Sequence, residues 1–326
     1  MRMTTGIFGL ISLGAALAGV CSAVPRNAAD PAKEESGPAP RIAANLVFFY
    51  YRDLDAAQRF YEGTLGLERI LDTGFASIHR AGPTSYLGLV DEKRGMHKAD
   101  EPKTVTLSFV TGEVDGWHDH LSGRGVPIRN PLREATRHPT RGFVATDPEG
   151  YFLEFETFLD HPQNKSLREK LADVSPLYPQ PGRKTAEAGR PASLGVQATV
   201  FWLYYKDVPA AQRFYETAMG QTLLVDQGFA KVYSSSGAGF IGLVDEAQGL
   251  HRFSEGKAVN VAFMTPDLEA WQERMKAGGA VIREPLGPAV GGRVRAFIGL
   301  DPAGYFLEFN WFAPVPENRK LLELVK

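Results

Sequence analysis

The sequence predicts an α+β fold: two tandem copies of one domain, each a pair of βαβββ modules forming a curved sheet around a cleft. Two observations carry this. Shifted by 154 residues, the chain matches itself without a gap. Tyr50-Tyr51-Arg52-Asp53 meets Tyr204-Tyr205-Lys206-Asp207, and Ala56 through Glu62 recurs as Ala210 through Glu216. A repeat this long is a duplicated domain rather than a solenoid unit. Within each copy, the order strand, helix, strand, strand, strand then occurs twice, and short strands of this kind must bury one face.

The elements follow in chain order. Residues 1–23 have the three parts of a secretory signal: Arg2 without an acid, an apolar run from Gly6 to Val20, then Cys21-Ser22-Ala23. The run is shorter than the ~20 residues of a membrane span. Export to the periplasm or beyond is the expectation. The alternative is a lipoprotein anchored through Cys21, against which Val20 is not the small residue usual before such a cysteine. Residues 24–43, rich in Pro, Ala and Glu, read as a flexible tether. The first domain is 44–172. Leu46 to Tyr51 is a strand, and Asp53 caps a helix that runs to Leu65 and closes at Gly66. Strands follow near 68–72, 75–80 and 85–91. The order restarts with a strand at Val105 to Val110, a helix at Val114 to Leu121, and strands near 126–129, 141–146 and 151–156. Residues 173–195, with four prolines, read as a linker, and 196–326 form the second domain.

Composition excludes several classes. Length 326 allows about two domains, and 44% hydrophobic with 23% charged residues is ordinary for a globular chain. The net charge of −2 lacks the basic excess of a nucleic-acid binder. Cys21 is the single cysteine, so neither an internal disulfide nor a thiolate metal cluster can form. No glycine-rich phosphate loop or serine nucleophile elbow is present. Asp147-Pro148-Glu149-Gly150 is a turn signature and receives no chemistry.

Three stretches carry a family resemblance. They are Asp53-Leu54 with Phe60-Tyr61 and Leu65-Gly66; Val105 to Val110 leading into the Trp117 helix; and Asp147 through Phe155. All recur, from Asp207, Val259 and Asp301. The chain resembles the vicinal oxygen chelate superfamily, which includes glyoxalase I, fosfomycin and bleomycin resistance proteins, and extradiol dioxygenases. The resemblance implies the tandem fold. It does not select a function, because this fold hosts isomerases, lyases, dioxygenases and binding proteins.

Metal-using members of that superfamily place ligands on the first and last strands of each half. Carried over by position, these fall on Leu46 and Val200, near Gly88 and Gly242, on Thr106 and Asn260, and on Glu154 and Glu308. Only the last pair keeps a strong ligand, whereas a catalytic metal normally has three. The expectation is therefore no cofactor and loss of the usual metal site. The alternative is a divalent metal held within each copy's own phrase, by Glu92 and His97 with Glu101 in the first and by Glu246 and His251 in the second. His97 and His251 occupy the same phrase in each copy, with Glu92 and Glu246 five residues before and Glu101 and Glu255 four residues after. Pairing of Glu92 with His97 is expected, and the phrase equally reads as a turn fixed by Gly95.

Candidate site residues follow from strand alternation. Glu154 and Glu308 are candidate bases or ligand anchors. Phe152, Glu154 and Glu156 share one strand face. The resemblance turns the Glu154 face into the cleft, with Tyr50 and Thr106 nearby, and Glu308 near Tyr204 and Asn260. Phe48, Tyr50, Thr106, Trp202, Tyr204 and Asn260 are candidate ligand contacts, since aromatic walls suit a flat or apolar ligand. The clefts are compatible with formation inside one copy or across both. The functional expectation is an exported protein binding a small aromatic or apolar molecule. The alternatives are a lyase, isomerase or dioxygenase-type enzyme using Glu154 and Glu308 or a non-standard metal, and a paired-domain interaction scaffold. Expected partners are a small-molecule ligand, with no nucleic acid and no membrane span, on a monomer whose domains form a pseudo-dimer.

Overall fold

Alternating and continuous apolar runs set the architecture. In this computed structural model, residues 37–132, 139–179 and 189–325 are described. The expected signal, Cys21 and most of the tether lie outside them. The first copy runs β1 (Ala44–Tyr51), α1 (Leu54–Arg59), β2 (Glu68–Asp72), β3 (Ala76–Gly82) and β4 (Ser85–Asp91). It continues with β5 (Val105–Val110), α2 (Val114–Gly123), β6 (Ile128–Asn130), β7 (Thr140–Thr146), β8 (Phe152–Phe158) and α3 (Lys165–Leu171). The second copy repeats this as β9 (Ala198–Tyr205), α4 (Val208–Thr217), β10 (Thr222–Asp226), β11 (Ala230–Ser234) and β12 (Gly239–Asp245). It ends with β13 (Val259–Met264), α5 (Leu268–Ala277), β14 (Val281–Glu284), β15 (Val294–Leu300), β16 (Phe306–Phe312) and α6 (Arg319–Leu324).

These strands form two eight-stranded sheets, in the orders β14-β15-β16-β13-β1-β4-β3-β2 and β10-β11-β12-β9-β5-β8-β7-β6. The two modules of one copy do not share a sheet. Instead β1 pairs antiparallel with β13 and β5 pairs antiparallel with β9, so each sheet takes one module from each copy. Every cleft is therefore built across both copies.

Burial explains the arrangement. Val47, Phe49 and Tyr51 of β1 join Phe201, Leu203 and Tyr205 of β9 in one core that also holds Trp117 of α2 and Trp271 of α5. The other face of each sheet carries the even-numbered residues of those strands and is called the inner face below. It has its own smaller clusters. Leu167 and Leu171 of α3 pack there on the second sheet, and Leu321 and Val325 at α6 pack there on the first. One end of each inner face is thus covered by a terminal helix of its copy.

Local signals are realised with one exception. Asp53 Oδ1 accepts the Ala56 N–H at 2.8 Å and Asp207 Oδ1 accepts that of Ala210 at 2.9 Å, capping α1 and α4. The helix expected over 53–65 keeps α geometry only to Arg59 and then widens to a π-helical turn over Phe60–Thr64. Gly66 follows at φ +63°, where glycine is favoured. The ends of the segment expected as a linker are packed: Leu177 bridges to Val196, and Leu194 is buried.

Two tyrosines tie the copies together. The Tyr151 hydroxyl accepts the Tyr50 N–H at 2.8 Å and donates to the Ala258 carbonyl at 2.6 Å. Tyr305 does the same for Tyr204 N–H and the Thr104 carbonyl, at 2.9 and 2.7 Å. Asp147, expected only to turn the chain, is buried and accepts the Tyr51 and Tyr61 hydroxyls at 2.7 and 2.9 Å. Burial holds its pKa up at about 6, and Asp301 opposite Tyr205 is held likewise. Among the described residues no helix is long and apolar enough to cross a membrane.

Candidate functional site

The site on the second sheet grows from three adjacent strands. Glu154 on β8 lies opposite Ser108 on β5, and Ser108 opposite Val200 on β9. One step along, Thr106 lies opposite Phe152 and Trp202, and Trp202 opposite Gly242 on β12. Cross-strand partners share a face, so Glu154, Glu156, Thr106, Ser108, Trp202 and Tyr204 meet on the inner face. A β-carbon at Gly242 would lie 2.0 Å from the Trp202 ring. Glycine is what lets that indole lie flat across the neighbouring strand.

The two carboxyls differ. Glu156 is buried and accepts the Ser108 hydroxyl at 2.5 Å. Glu154 is partly exposed and has no hydrogen-bond partner among the described residues. Burial, and then the neighbouring Glu156 charge, push the Glu154 carboxyl well above the usual carboxylate range. Burial also raises Glu156, which Ser108 and Trp202 partly offset. The indole N–H of Trp202 is directed at Glu156 but falls short of full hydrogen-bond geometry. Thr106 and Tyr204 join their hydroxyls at 2.7 Å beside this pair.

His251 closes one end. Its ring stacks on Phe152 at 4.4 Å between centroids and meets Tyr204 edge-on at 4.9 Å. Burial and Arg129 push its pKa down to about 4. Arg129 itself stands 4.5 Å from the Phe152 ring centroid.

The first sheet carries the pseudo-symmetric site with different chemistry. Glu308 is buried and accepts Asn260 Nδ2 at 2.8 Å and Asn310 Nδ2 at 2.7 Å. Burial raises its pKa despite those bonds. Asn310 stands where the second sheet has Glu156, and Phe48 where it has Trp202. Phe48 covers Gly88, whose β-carbon would lie 2.2 Å from the ring. His97 packs on Phe306 and Tyr50, at 4.7 and 5.1 Å between centroids.

Several expectations are corrected here. Glu154 has Thr106 nearby as expected, but the tyrosine beside it is Tyr204 of the other copy, and Tyr50 instead neighbours Glu308. Sheet pairing across copies is the reason. His97 Nδ1 bonds Glu101 at 2.9 Å, not Glu92. Glu92 instead accepts the Ala99 N–H at 2.8 Å, and Glu246 accepts that of Phe253 at 2.5 Å, so both acids tie down their own loops. In each copy's phrase the acid five residues before the histidine is thus turned to a backbone N–H, and in the first copy His97 keeps only Glu101. Arg141 on β7 pairs with Asp115 at 2.6 Å.

The positions carried over from the superfamily do gather, as Leu46, Gly88, Asn260 and Glu308 on one sheet and Val200, Gly242, Thr106 and Glu154 on the other. Among the described residues no group of three or more His, Cys, Asp or Glu comes together. Aromatic rings fill the space above both glycines.

A model of the Glyoxalase/Bleomycin resistance protein/Dioxygenase superfamily matches residues 43–155 and again 196–309. The chain belongs to this superfamily. Glyoxalase I from Zea mays is 17% identical over 87% of this chain and 95% of its own, with a TM-score of 0.55. A variant of that enzyme is 16% identical over 88% and 96%, with a TM-score of 0.57. At such identities the superfamily likeness speaks for the fold alone. No curated protein sequence matches the chain.

Proposed function

We propose that this protein binds a small molecule with a flat, apolar body and one amine or hydroxyl donor, on the inner face of the second sheet and without the superfamily's usual metal. The observation that carries this is Glu154: a carboxyl among aromatic rings, next to a second carboxyl, with no described hydrogen-bond partner. Such a group is costly to hold there unless something pairs with it. Trp202, Tyr204, Phe152 and His251 supply walls for the flat body. The ligand set supports a metal-free site, because Val200 and Gly242 cannot coordinate and Thr106 is spent on Tyr204. The first-sheet cleft is the weaker binder, since its Glu308 is already held by two amides.

A second reading is favoured by the carboxyl pair itself. Two neighbouring carboxyls, both raised by burial and one also by the other's charge, hold protons above the usual carboxylate range, the state a general acid needs. A lyase or isomerase would use Glu154 in that role. The scaffold reading draws only on the helices α3 and α6 that cover one end of each face. Export, by the signal at residues 1–23 or as a lipoprotein through Cys21, is part of the proposal and is tested by cell fractionation.

The deciding experiment is ligand-observed NMR of the dialysed protein against flat aromatic amines and phenols and their unsubstituted parents. Binding of the donor-bearing compounds that E154Q removes and E308Q keeps supports the reading. Stoichiometric Fe, Mn, Zn or Ni retained through dialysis overturns its metal-free part.

A further inference from the structure

The chain has six methionines and one cysteine. Met1, Met3 and Cys21 lie outside the described residues. Of the other four methionines, Met219, Met264 and Met275 are buried, at 1%, 0% and 0% exposure, whereas Met96 is 42% exposed. A flexible thioether ordinarily fills gaps in a core, as those three do. The exposure of Met96 therefore calls for a cause.

The loop between β4 and β5 supplies it. Gly95 lies so close to Tyr50 that a β-carbon there would stand 2.6 Å from the ring. The His97 ring packs on Tyr50 and Phe306, at 5.1 and 4.7 Å between centroids. With both neighbours turned inward, the residue between them is left outside. The loop is also tied down. The Arg94 and Gly95 N–H groups both donate to the Asp91 carbonyl at 3.0 Å. The Glu92 carboxylate accepts the Ala99 N–H at 2.8 Å, and Glu101 accepts that of Lys98 at 2.7 Å and bonds His97 Nδ1 at 2.9 Å. Met96 is thus held outside by fixed geometry.

The second copy shows what else the place accepts. Gly249 and His251 repeat the inward contacts, on Tyr204. The residue between them is Leu250, partly buried against the inner cluster of the second sheet. An inert apolar side chain serves there, and only the first copy carries a sulfur. Among the described residues it is the one exposed sulfur.

Oxidation of a thioether needs access to its lone pair, and it turns an apolar side chain into a polar one. We propose that Met96 is an oxidation site of the folded protein, open to peroxides, on the rim of the first-sheet face. The sulfur lone pair attacks one peroxide oxygen and the O–O bond breaks. The departing hydroxide takes the proton of the transferred oxygen and leaves as water. The sulfur is oxidised to the sulfoxide and the peroxide is reduced. A polar group then stands beside His97, whose ring closes one end of that face, while the core methionines keep their packing.

The test treats the full chain with dilute hydrogen peroxide and locates oxygen uptake by peptide mass spectrometry. Met96 should gain one oxygen atom before Met219, Met264 or Met275 gains any, with no change in melting temperature. In denaturant all four should react alike, because the fold makes the selection. M96L, which installs the residue of the other copy, should abolish the uptake at that position and leave the melting temperature as it was. A methionine sulfoxide reductase supplied with a thiol should restore the thioether in the folded protein. Absence of uptake at Met96 overturns the proposal. So does earlier uptake at a buried methionine, or a fall in melting temperature when Met96 alone is oxidised.

Discussion

The carboxyls of Glu154 and Glu156 share one face of β8, and only that of Glu156 is met by a hydrogen-bond donor, Ser108 at 2.5 Å. Two like charges in a place of low dielectric oppose each other's ionisation, and the pair titrates as a unit above the ordinary carboxylate range. The native state thus keeps protons that an unfolded glutamate releases near pH ~4.3. A carboxyl with a raised folded pKa contributes its stability below the unfolded pKa and loses it as pH rises through the folded value. E154Q removes that loss. Its unfolding free energy should exceed the parent's by about 1–2 kcal/mol at pH 8 and match it near pH 4. Urea unfolding at the two pH values reads this, and an E154Q protein less stable at pH 8 would refute the raised pKa of Glu154.

His251 works on the acid side with the opposite slope. Its pKa is pushed down to about 4 by burial and Arg129, so the native state holds it neutral while the unfolded chain protonates near ~6.5. Stability present above pH ~6.5 is lost as pH falls toward 4. H251F keeps the stack on Phe152 and removes the titration. The parent should lose stability between pH 6.5 and 4 that H251F retains, on the order of 1–3 kcal/mol. Thermal melts across that window, taken for both proteins, show whether the difference opens on the acid side.

Tyr151 joins the copies with one hydroxyl, which accepts from Tyr50 N–H and donates to Ala258 C=O. Y151F keeps the ring and its stack on Phe49, at 3.9 Å between centroids, and leaves a buried donor and a buried acceptor unpaired. A loss of about 1–3 kcal/mol is expected, as for other buried groups that lose their partner. Denaturant midpoints measure it. A neutral Y151F would mean that water replaces the hydroxyl.

Much of the fold was legible in the sequence because the duplication repeats each signal. Asp53 and Asp207 both cap helices, and Trp117 and Trp271 both fill the core. The pairing of modules across copies was not legible. Tyr50 and Tyr204 occupy the same place in the repeat, each followed by a tyrosine, a cation and an aspartate, so either could face Glu154, and only the β5–β9 pairing chooses Tyr204. The metal-type positions share the inner faces of the two sheets. What escaped was chemistry held by one copy alone. Glu156 against Asn310 and Met96 against Leu250 are differences between copies, and a comparison that scores agreement passes over them. The Gly88 and Gly242 positions were read as lost ligands. In space they are gaps that Phe48 and Trp202 require.

That requirement can be tested directly. G242A places a methyl 2.0 Å from the Trp202 ring, which must move off β12 and away from Glu156. Overpacking of this kind costs about 1–3 kcal/mol. G88A should cost a similar amount through Phe48, at 2.2 Å, but should leave the second-sheet carboxyls untouched. Only G242A should also alter binding of a Glu154 ligand. Equal effects of both variants on that ligand would show that the two faces are coupled.

The last expectation follows from the sheet order. Each sheet contains a module from each copy, joined by six paired residues between β1 and β13 and six between β5 and β9. The covalent connection between copies is then redundant once the chain has folded. A protease site placed within residues 180–188 should be cut without separating the copies. Light scattering of the cut protein in native buffer should give the mass of the uncut monomer, and the two pieces should part only in denaturant. The uncut chain should itself be monomeric, since it already contains both halves of each sheet. If the modules of one copy formed a sheet of their own, the cut pieces would elute separately as folded halves. Re-mixing after denaturation sharpens the test, because neither piece holds a complete partner for its exposed β1 or β9 edge. Each alone should self-associate or aggregate, while the mixture should recover the monomer mass.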